Sequence, residues 1–210
     1  MSEDQFGLFN TDYDEKELGE GFAATADAPP PQWAFVEVDK AEYECSKKQG
    51  THGVTCTLWL DSKMALTPNR RASFIRSYAS IKQNDKGDCP GWRMFSRFAV
   101  ALGLGSITLP PTKENSEKIA RAVAVAAKGR KFIAWLTTEK DQNGIDRSRL
   151  QDYYVATEEN LKAITDAGFD FNGVQVKSRE ENGRKRSYLV AKPRKEGAAA
   201  TVAAGSSIAD

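Results

Sequence analysis

The chain has 210 residues, 40% of them hydrophobic and 28% charged, with a formal net charge of +1. That composition supports a packed core and excludes wholesale disorder. No apolar run approaches the ~20 residues of a bilayer span, the opening Met1-Ser2-Glu3-Asp4 is acidic where a secretion signal is basic and then apolar, and three scattered cysteines form no disulfide framework; the expectation is a soluble, cytoplasmic protein.

The net charge hides an asymmetry. Residues 1–31 hold eight acids and one base, a net −7, while the remainder carries +8. This first segment reads as a flexible acidic arm closed by Ala28-Pro29-Pro30-Pro31, a stretch that favours extended backbone. Phe6, Phe9 and Tyr13 sit among its acids, a mixture suited to docking on a partner protein. A solubilising tail is the plain alternative.

From Trp33 to Glu44 the pattern predicts a strand, with Val36 and Val38 on one face and Glu37 and Asp39 on the other. Cys45–Gly50 reads as a polar turn carrying Lys47 and Lys48. Val54, Cys56, Leu58 and Leu60 then form the apolar face of a second strand, opposite Thr55, Thr57 and Trp59. A third strand falls within Arg70–Ile81, with Ile75, Ala79 and Ile81 inward and Phe74, Arg76 and Tyr78 outward. Asp88 is the expected N-cap of a helix whose face carries Trp92, Phe95, Phe98, Ala99 and Leu102, ended by Gly103 and Gly105. An alanine-rich helix spans about Ser116–Ala127, capped by Asn115 or Ser116. Arg130–Glu139 and Asp146–Ala156 are strands around Asn143-Gly144. Beyond Thr157 come a short helix, Glu158–Ala167, and a hairpin of Phe171–Arg179 and Arg184–Lys192 about Asn182-Gly183. Residues 193–210 are of low complexity and read as a disordered tail.

Three strands, a helical insertion and two more strands is the element order of the five-stranded OB-fold barrel, although other small barrels and α+β folds share it. The expected architecture is therefore mainly β with helices (α+β). It comprises an arm (1–31), an OB domain (32–156) with its helical insertion between strands 3 and 4, a helix-plus-hairpin extension (157–192) and the tail.

Several short motifs resemble a family of small bacteriophage proteins encoded among replication and recombination genes. They are the Ser46-Lys47-Lys48 turn leading into an apolar strand, Ala101-Leu102-Gly103-Leu104 at a helix end, Gly129-Arg130-Lys131-Phe132 opening a strand, the Asn143-Gly144 hairpin and the arm's Phe6-Gly7-Leu8-Phe9. The resemblance spans roughly residues 6–156. It implies an OB-fold protein that binds single-stranded DNA without enzymatic activity or cofactor. Asn84–Gly91 is longer than that family's usual link, residues 157–192 have no counterpart in it, and the acidic, phenylalanine-ending C-terminus of bacterial single-strand binders is absent.

Single strands are held by aromatic platforms and basic grooves. The candidates for such contacts are Trp59 on strand 2, Phe74, Arg76 and Tyr78 on strand 3, Lys47 and Lys48 in the first turn, and Lys140 at the last hairpin. Trp59 and Phe74 could instead close a barrel end or pack under the C-terminal extension. The extension adds Lys177, Arg179, Arg184, Lys185 and Arg186, with Lys192, Arg194 and Lys195 beyond, a ribbon suited to phosphates or to protecting a sheet edge. The cysteines and His52 lack zinc spacing, and Glu37 with Asp39 suits a solvated edge better than a metal. Two other classes compete with the DNA reading: a protein-interaction module for an acidic partner, and a metal-dependent nuclease using strand carboxylates. The sequence leaves homo-oligomerisation open.

Overall fold

The computed structural model describes residues 28–47, 49–181 and 183–193, without the side chains of Ser62 and Arg184. The arm residues Phe6, Phe9 and Tyr13, the turn residue Lys48, the cations Arg194 and Lys195, and the tail beyond them lie outside the described residues.

Among the described residues, seven strands and three helices follow in chain order: β1 (Gln32–Cys45), β2 (His52–Ala65), β3 (Arg71–Tyr78), α1 (Pro90–Ala101), α2 (Lys113–Ala127), β4 (Lys131–Lys140), β5 (Asp146–Tyr154), α3 (Glu158–Asp166), β6 (Val174–Glu181) and β7 (Arg184–Ala191). The fold is mainly β with antiparallel sheets, an α+β arrangement. β1 to β5 form one sheet in the order β3-β2-β1-β4-β5. Its two edges, β3 and β5, curl towards each other and come into contact without forming a ladder. No described helix is long and apolar enough to cross a membrane.

Period-two alternation places the inner face. Val36 and Val38 of β1, Val54, Cys56, Leu58 and Leu60 of β2, and Phe132, Ala134 and Leu136 of β4 are all buried on it. The helical insertion covers this face: Phe98 of α1 meets Phe132 edge-on at 5.7 Å and Tyr153 at 5.4 Å. The Ala101-Leu102-Gly103-Leu104 motif is a helix stop. The amide of Gly103 (φ +73°) donates to the Val100 carbonyl and that of Leu104 to Ala99, the paired bonds of a Schellman end.

Three local expectations are corrected. Cys89, not Asp88, is the N-cap of α1, with no side-chain cap bond, because Pro90 at the first position needs no amide partner. α2 starts at Lys113, where the Thr112 hydroxyl accepts the Asn115 amide at 3.2 Å; Ser116 is one turn inside and donates to the Ala79 carbonyl instead. Ile81 is exposed rather than inward, since β3 ends at Tyr78 and the chain has left the sheet.

The C-terminal extension joins neither edge. β6 and β7 form their own two-stranded sheet, and with α3 they pack on the outer face of β1 and β4. There Trp33, Ile133 and Tyr154 are buried against Ala163, Ile164, Val174 and Leu189, with Trp33 and Trp135 rings 5.2 Å apart. The first half of β1 and most of β4 are thus buried on both faces, which explains the unbroken Phe132–Leu136 apolar run.

Candidate nucleic-acid interface

β3 presents its outward residues along an edge that pairs with no further strand among the described residues. Its ladder with β2 slips by one residue: Cys56 pairs with Ile75 but Leu58 with Ala72, so β3 carries a bulge at Ser73-Phe74. The bulge throws Phe74 into the left-handed region at φ +58°, uncommon for a bulky residue, and leaves it 60% exposed. Two residues on, Arg76 Nε bonds Glu44 Oε2 at 3.1 Å, and Thr55 donates to the same oxygen. Burial works against the Glu44 charge, but hydrogen bonds from Thr55 and Tyr78 and the Arg76 cation outweigh it and hold the carboxyl below its ordinary range. Tyr78 lies over Gly53 of β2, where a Cβ would come within 2.5 Å of the Tyr78 ring and 2.3 Å of the Ser77 carbonyl oxygen. A glycine at 53 therefore lets the ring lie against the strand.

The facing wall is the β4–β5 hairpin. Asp141 builds its turn: Oδ1 accepts the amides of Asn143 (2.8 Å) and Ile145 (3.0 Å), and Oδ2 accepts from Arg147 at 3.0 Å. The Ile145 amide foremost, and the Arg147 guanidinium after it, keep the carboxyl below its usual range. Gly144, at φ +76°, completes the turn as Asn143-Gly144 foretells. Between the walls lies an open cleft of about 710 Å³ lined by Phe74, Arg76 and Tyr78 on one side and Lys140, Arg147 and Arg149 on the other, with Glu139, Asp141, Ser148 and Leu150. The Arg147 guanidinium sits 5.8 Å from the Phe74 ring centre, linking the two walls.

The charge of this cleft is positive but moderate. Four cations face two lining carboxylates, and three of the cations are already paired: Arg76 with Glu44, Arg147 with Asp141 and Arg149 with Glu139. Lys140 makes no ion pair among the described residues. Exposed pairs of this kind are worth ~0–1 kcal/mol, so a phosphate can take the place of a carboxylate at small cost.

Four of the sequence candidates, Phe74, Arg76, Tyr78 and Lys140, converge on the cleft. Trp59 does not line it. The ring is 37% exposed at the far end of the β2–β3 ribbon, beneath the Arg71 guanidinium at 5.4 Å, in a shallow depression shared with Phe35 and Lys131. Neither Trp59 nor Phe74 is packed under the extension; Trp33 and Trp135 fill that position. Lys47 is exposed in the β1–β2 turn and does not line the cleft.

The hairpin cations also form a separate surface. Register places Lys177, Arg179 and the backbone of Arg184 on one face with Arg186 and Tyr188. Arg179 stacks over Tyr188 and pairs with Glu159 and Glu181, and Arg186 pairs with Glu181, so Lys177 is the exposed cation of that face without a described ion pair; Lys185, opposite Glu180 in the register, is on the other face. Arg147 and Arg149 are the cleft residues that the sequence reading missed. Their alternation in Arg147-Ser148-Arg149-Leu150 beside a turn was the available signal.

Glu37 pairs with Lys131 at 3.2 Å and Asp39 with Arg71 at 3.3 Å on the outer face. Among the described residues no three His, Cys, Asp or Glu side chains converge. Burial pushes the Cys56 thiol up to about 12, leaving it an unreactive core group. No protein-family model and no curated protein matches the chain.

Proposed function

We propose that this chain is a non-enzymatic, sequence-independent single-stranded DNA-binding protein of the kind that serves bacteriophage replication and recombination. The observation that carries the reading is the exposed Phe74, set on a bulge in backbone that disfavours it, facing arginines across an open cleft. Strained residues that persist despite their cost cluster at functional positions. An exposed aromatic beside cations offers a base its π-face and a phosphate its counter-charge, whatever the base.

The fold is compatible. The sheet order leaves β3 and β5 as the edges, and we read their approach as an OB barrel open at that seam. The Ser46-Lys47-Lys48 turn, the helix stop and the Gly129–Phe132 strand opening support the phage resemblance. Lys177 on the hairpin would meet phosphates of strands too long for the cleft alone.

Fluorescence anisotropy with labelled single-stranded and duplex oligonucleotides tests the proposal. Single strands should bind more tightly, because duplex bases are already stacked. Equal affinities would reduce the cleft to a phosphate contact. Magnesium-dependent cleavage of either probe would favour the nuclease class.

A further inference from the structure

Building on the single-strand reading above, we propose that Trp59 and Arg71 form a second base-stacking subsite, and that a single strand held in the β3–β5 cleft continues along β3 to reach it.

The bulge in β3 sets the geometry. In regular alternation Arg71 would share a face with Ser73 and Ile75, and Ile75 is buried in the core. The slip between Cys56↔Ile75 and Leu58↔Ala72 adds one residue, so Ala72 and Ile75 both point inward and Arg71 comes onto the face of Phe74, Arg76 and Tyr78. Register then sets Trp59 opposite Arg71, as it sets Thr55 opposite Arg76 and Gly53 opposite Tyr78. One row of aromatic and cationic side chains therefore runs along β3, from Tyr78 through Phe74 to the Trp59–Arg71 pair.

The backbone that carries the pair is fixed in advance. Gln32 is fully buried; its side-chain oxygen accepts the amides of Leu66 (2.7 Å) and Thr67 (3.2 Å), and its nitrogen donates to the Thr67 hydroxyl at 2.7 Å. This clamps the β2–β3 connection, and the Leu60 amide donates to the Arg70 carbonyl at 2.9 Å where the connection ends. A subsite ordered before binding loses less entropy when the ligand arrives.

The indole of Trp59 is 37% exposed, with the Arg71 guanidinium 5.4 Å from the ring centre. A planar cation on an indole marks a place where a planar base fits. The Arg71 side chain is itself 58% exposed and pairs with Asp39 at 3.3 Å, an exposed pair that it can exchange for a neighbouring phosphate at small cost. The depression beside the ring holds about 20 Å³, less than the ~30 Å³ share of one water molecule, so no wall encloses a base or reads its edges. Charge there is balanced: Arg71 and Lys131 face Asp39 and Glu37, with Asp61 beside them. Stacking, not phosphate attraction, must therefore supply the affinity of this subsite. From Tyr78 to Arg71 β3 rises about 20 Å. A single strand stacked at ~3.4 Å per nucleotide covers that length with about six nucleotides, and an extended one with fewer.

The test uses the full chain and an oligothymidylate of about 12 residues, roughly twice that track. Trp59→Leu keeps an apolar side chain without a large π-face, and Trp59→Phe keeps both properties. In anisotropy titrations Trp59→Leu should bind roughly 5- to 150-fold more weakly, by the same factor at low and high salt, while Trp59→Phe stays near wild type. The oligonucleotide should also quench the tryptophan emission of the wild-type chain, and the quench should vanish in Trp59→Phe, whose remaining indoles at 33, 92 and 135 are buried or half-buried. Wild-type affinity in a folded Trp59→Leu protein, with Phe74→Gly weakened, overturns the subsite and leaves the cleft reading standing. A quench that persists in Trp59→Phe overturns it as well, and does so whether or not Trp59→Leu folds. A reduced slope of log K against log salt in Trp59→Leu would make the ring a support for Arg71 and overturn the stacking. No binding by the wild-type chain sinks the single-strand reading and this subsite with it.

Discussion

Replacing Phe74 separates a binding platform from a packing residue. The ring is 60% exposed, so of the roughly 200 Å² that a phenylalanine can bury about 80 Å² is removed from water, worth at most ~2 kcal/mol. Against this stands its backbone, at φ +58°. Glycine is free of that strain and alanine is not, a difference of about 1 kcal/mol. Phe74→Gly should therefore lose only about 1 kcal/mol net, a fall in Tm of ~2–4 °C. Phe74→Ala should be the less stable of the two by about 1 kcal/mol. This order reverses the usual one within a strand, where glycine is the poorer residue.

Binding should change in a different pattern. A base stacked on the ring contributes ~1–3 kcal/mol, so both substitutions should weaken oligothymidylate binding roughly 5- to 150-fold, and Phe74→Tyr should retain it. Thermal melts and anisotropy titrations on the same preparations give both quantities. Wild-type affinity in a folded Phe74→Gly protein would refute the platform. A loss of stability above ~3 kcal/mol would show that the ring is holding the β3 and β5 walls together instead.

Gly53→Ala should destabilise by ~1–3 kcal/mol in a thermal melt, because the new Cβ would meet the Ser77 carbonyl and the Tyr78 ring at 2.3 and 2.5 Å. Lys177→Gln should reduce the slope of log K against log salt by roughly 0.7 for long single strands and leave oligonucleotides short enough for the cleft unaffected; a change with the short probes would place the hairpin beside the cleft. Glu44, whose folded-state carboxyl titrates below its ordinary 4.5, contributes stability that is present above that value and is lost as pH falls through the folded value. Glu44→Gln should remove this part of the acid destabilisation, measured as a shallower decline of Tm with falling pH.

The inner face of the sheet was legible because each strand there shows one apolar side to the core. Val54, Cys56, Leu58 and Leu60 recur at period two, and all four are buried. The cleft was half legible for the same reason: Phe74, Arg76 and Tyr78 were placed outward by alternation, and they line it. The bulge at Phe74 was not, since nothing in Ala72-Ser73-Phe74-Ile75 marks an extra residue; it exists only in the register against β2. Arg147 and Arg149 are not legible as site residues, because their side of the cleft is defined by the approach of β5 to β3, which are far apart in sequence.

The outer layer of aromatics is set by distant parts of the chain. Trp33 and Trp135 stand at positions that alternation assigns to the solvent side, yet they are buried by a segment that begins after residue 157. An outward aromatic is equally a platform for a ligand and an anchor for another part of the chain, and local sequence does not distinguish the two. What does distinguish them is the neighbouring residues. Trp135 is flanked by Ala134 and Leu136 in a continuous apolar run, as a strand buried on both faces requires. Phe74 and Trp59 instead have Thr57, Arg76 and Arg71 around them, so no second apolar layer can form there. The same reasoning favours ligand contact for Phe74: its companions across the cleft are arginines, which stack on bases and pair with phosphates but do not build a core.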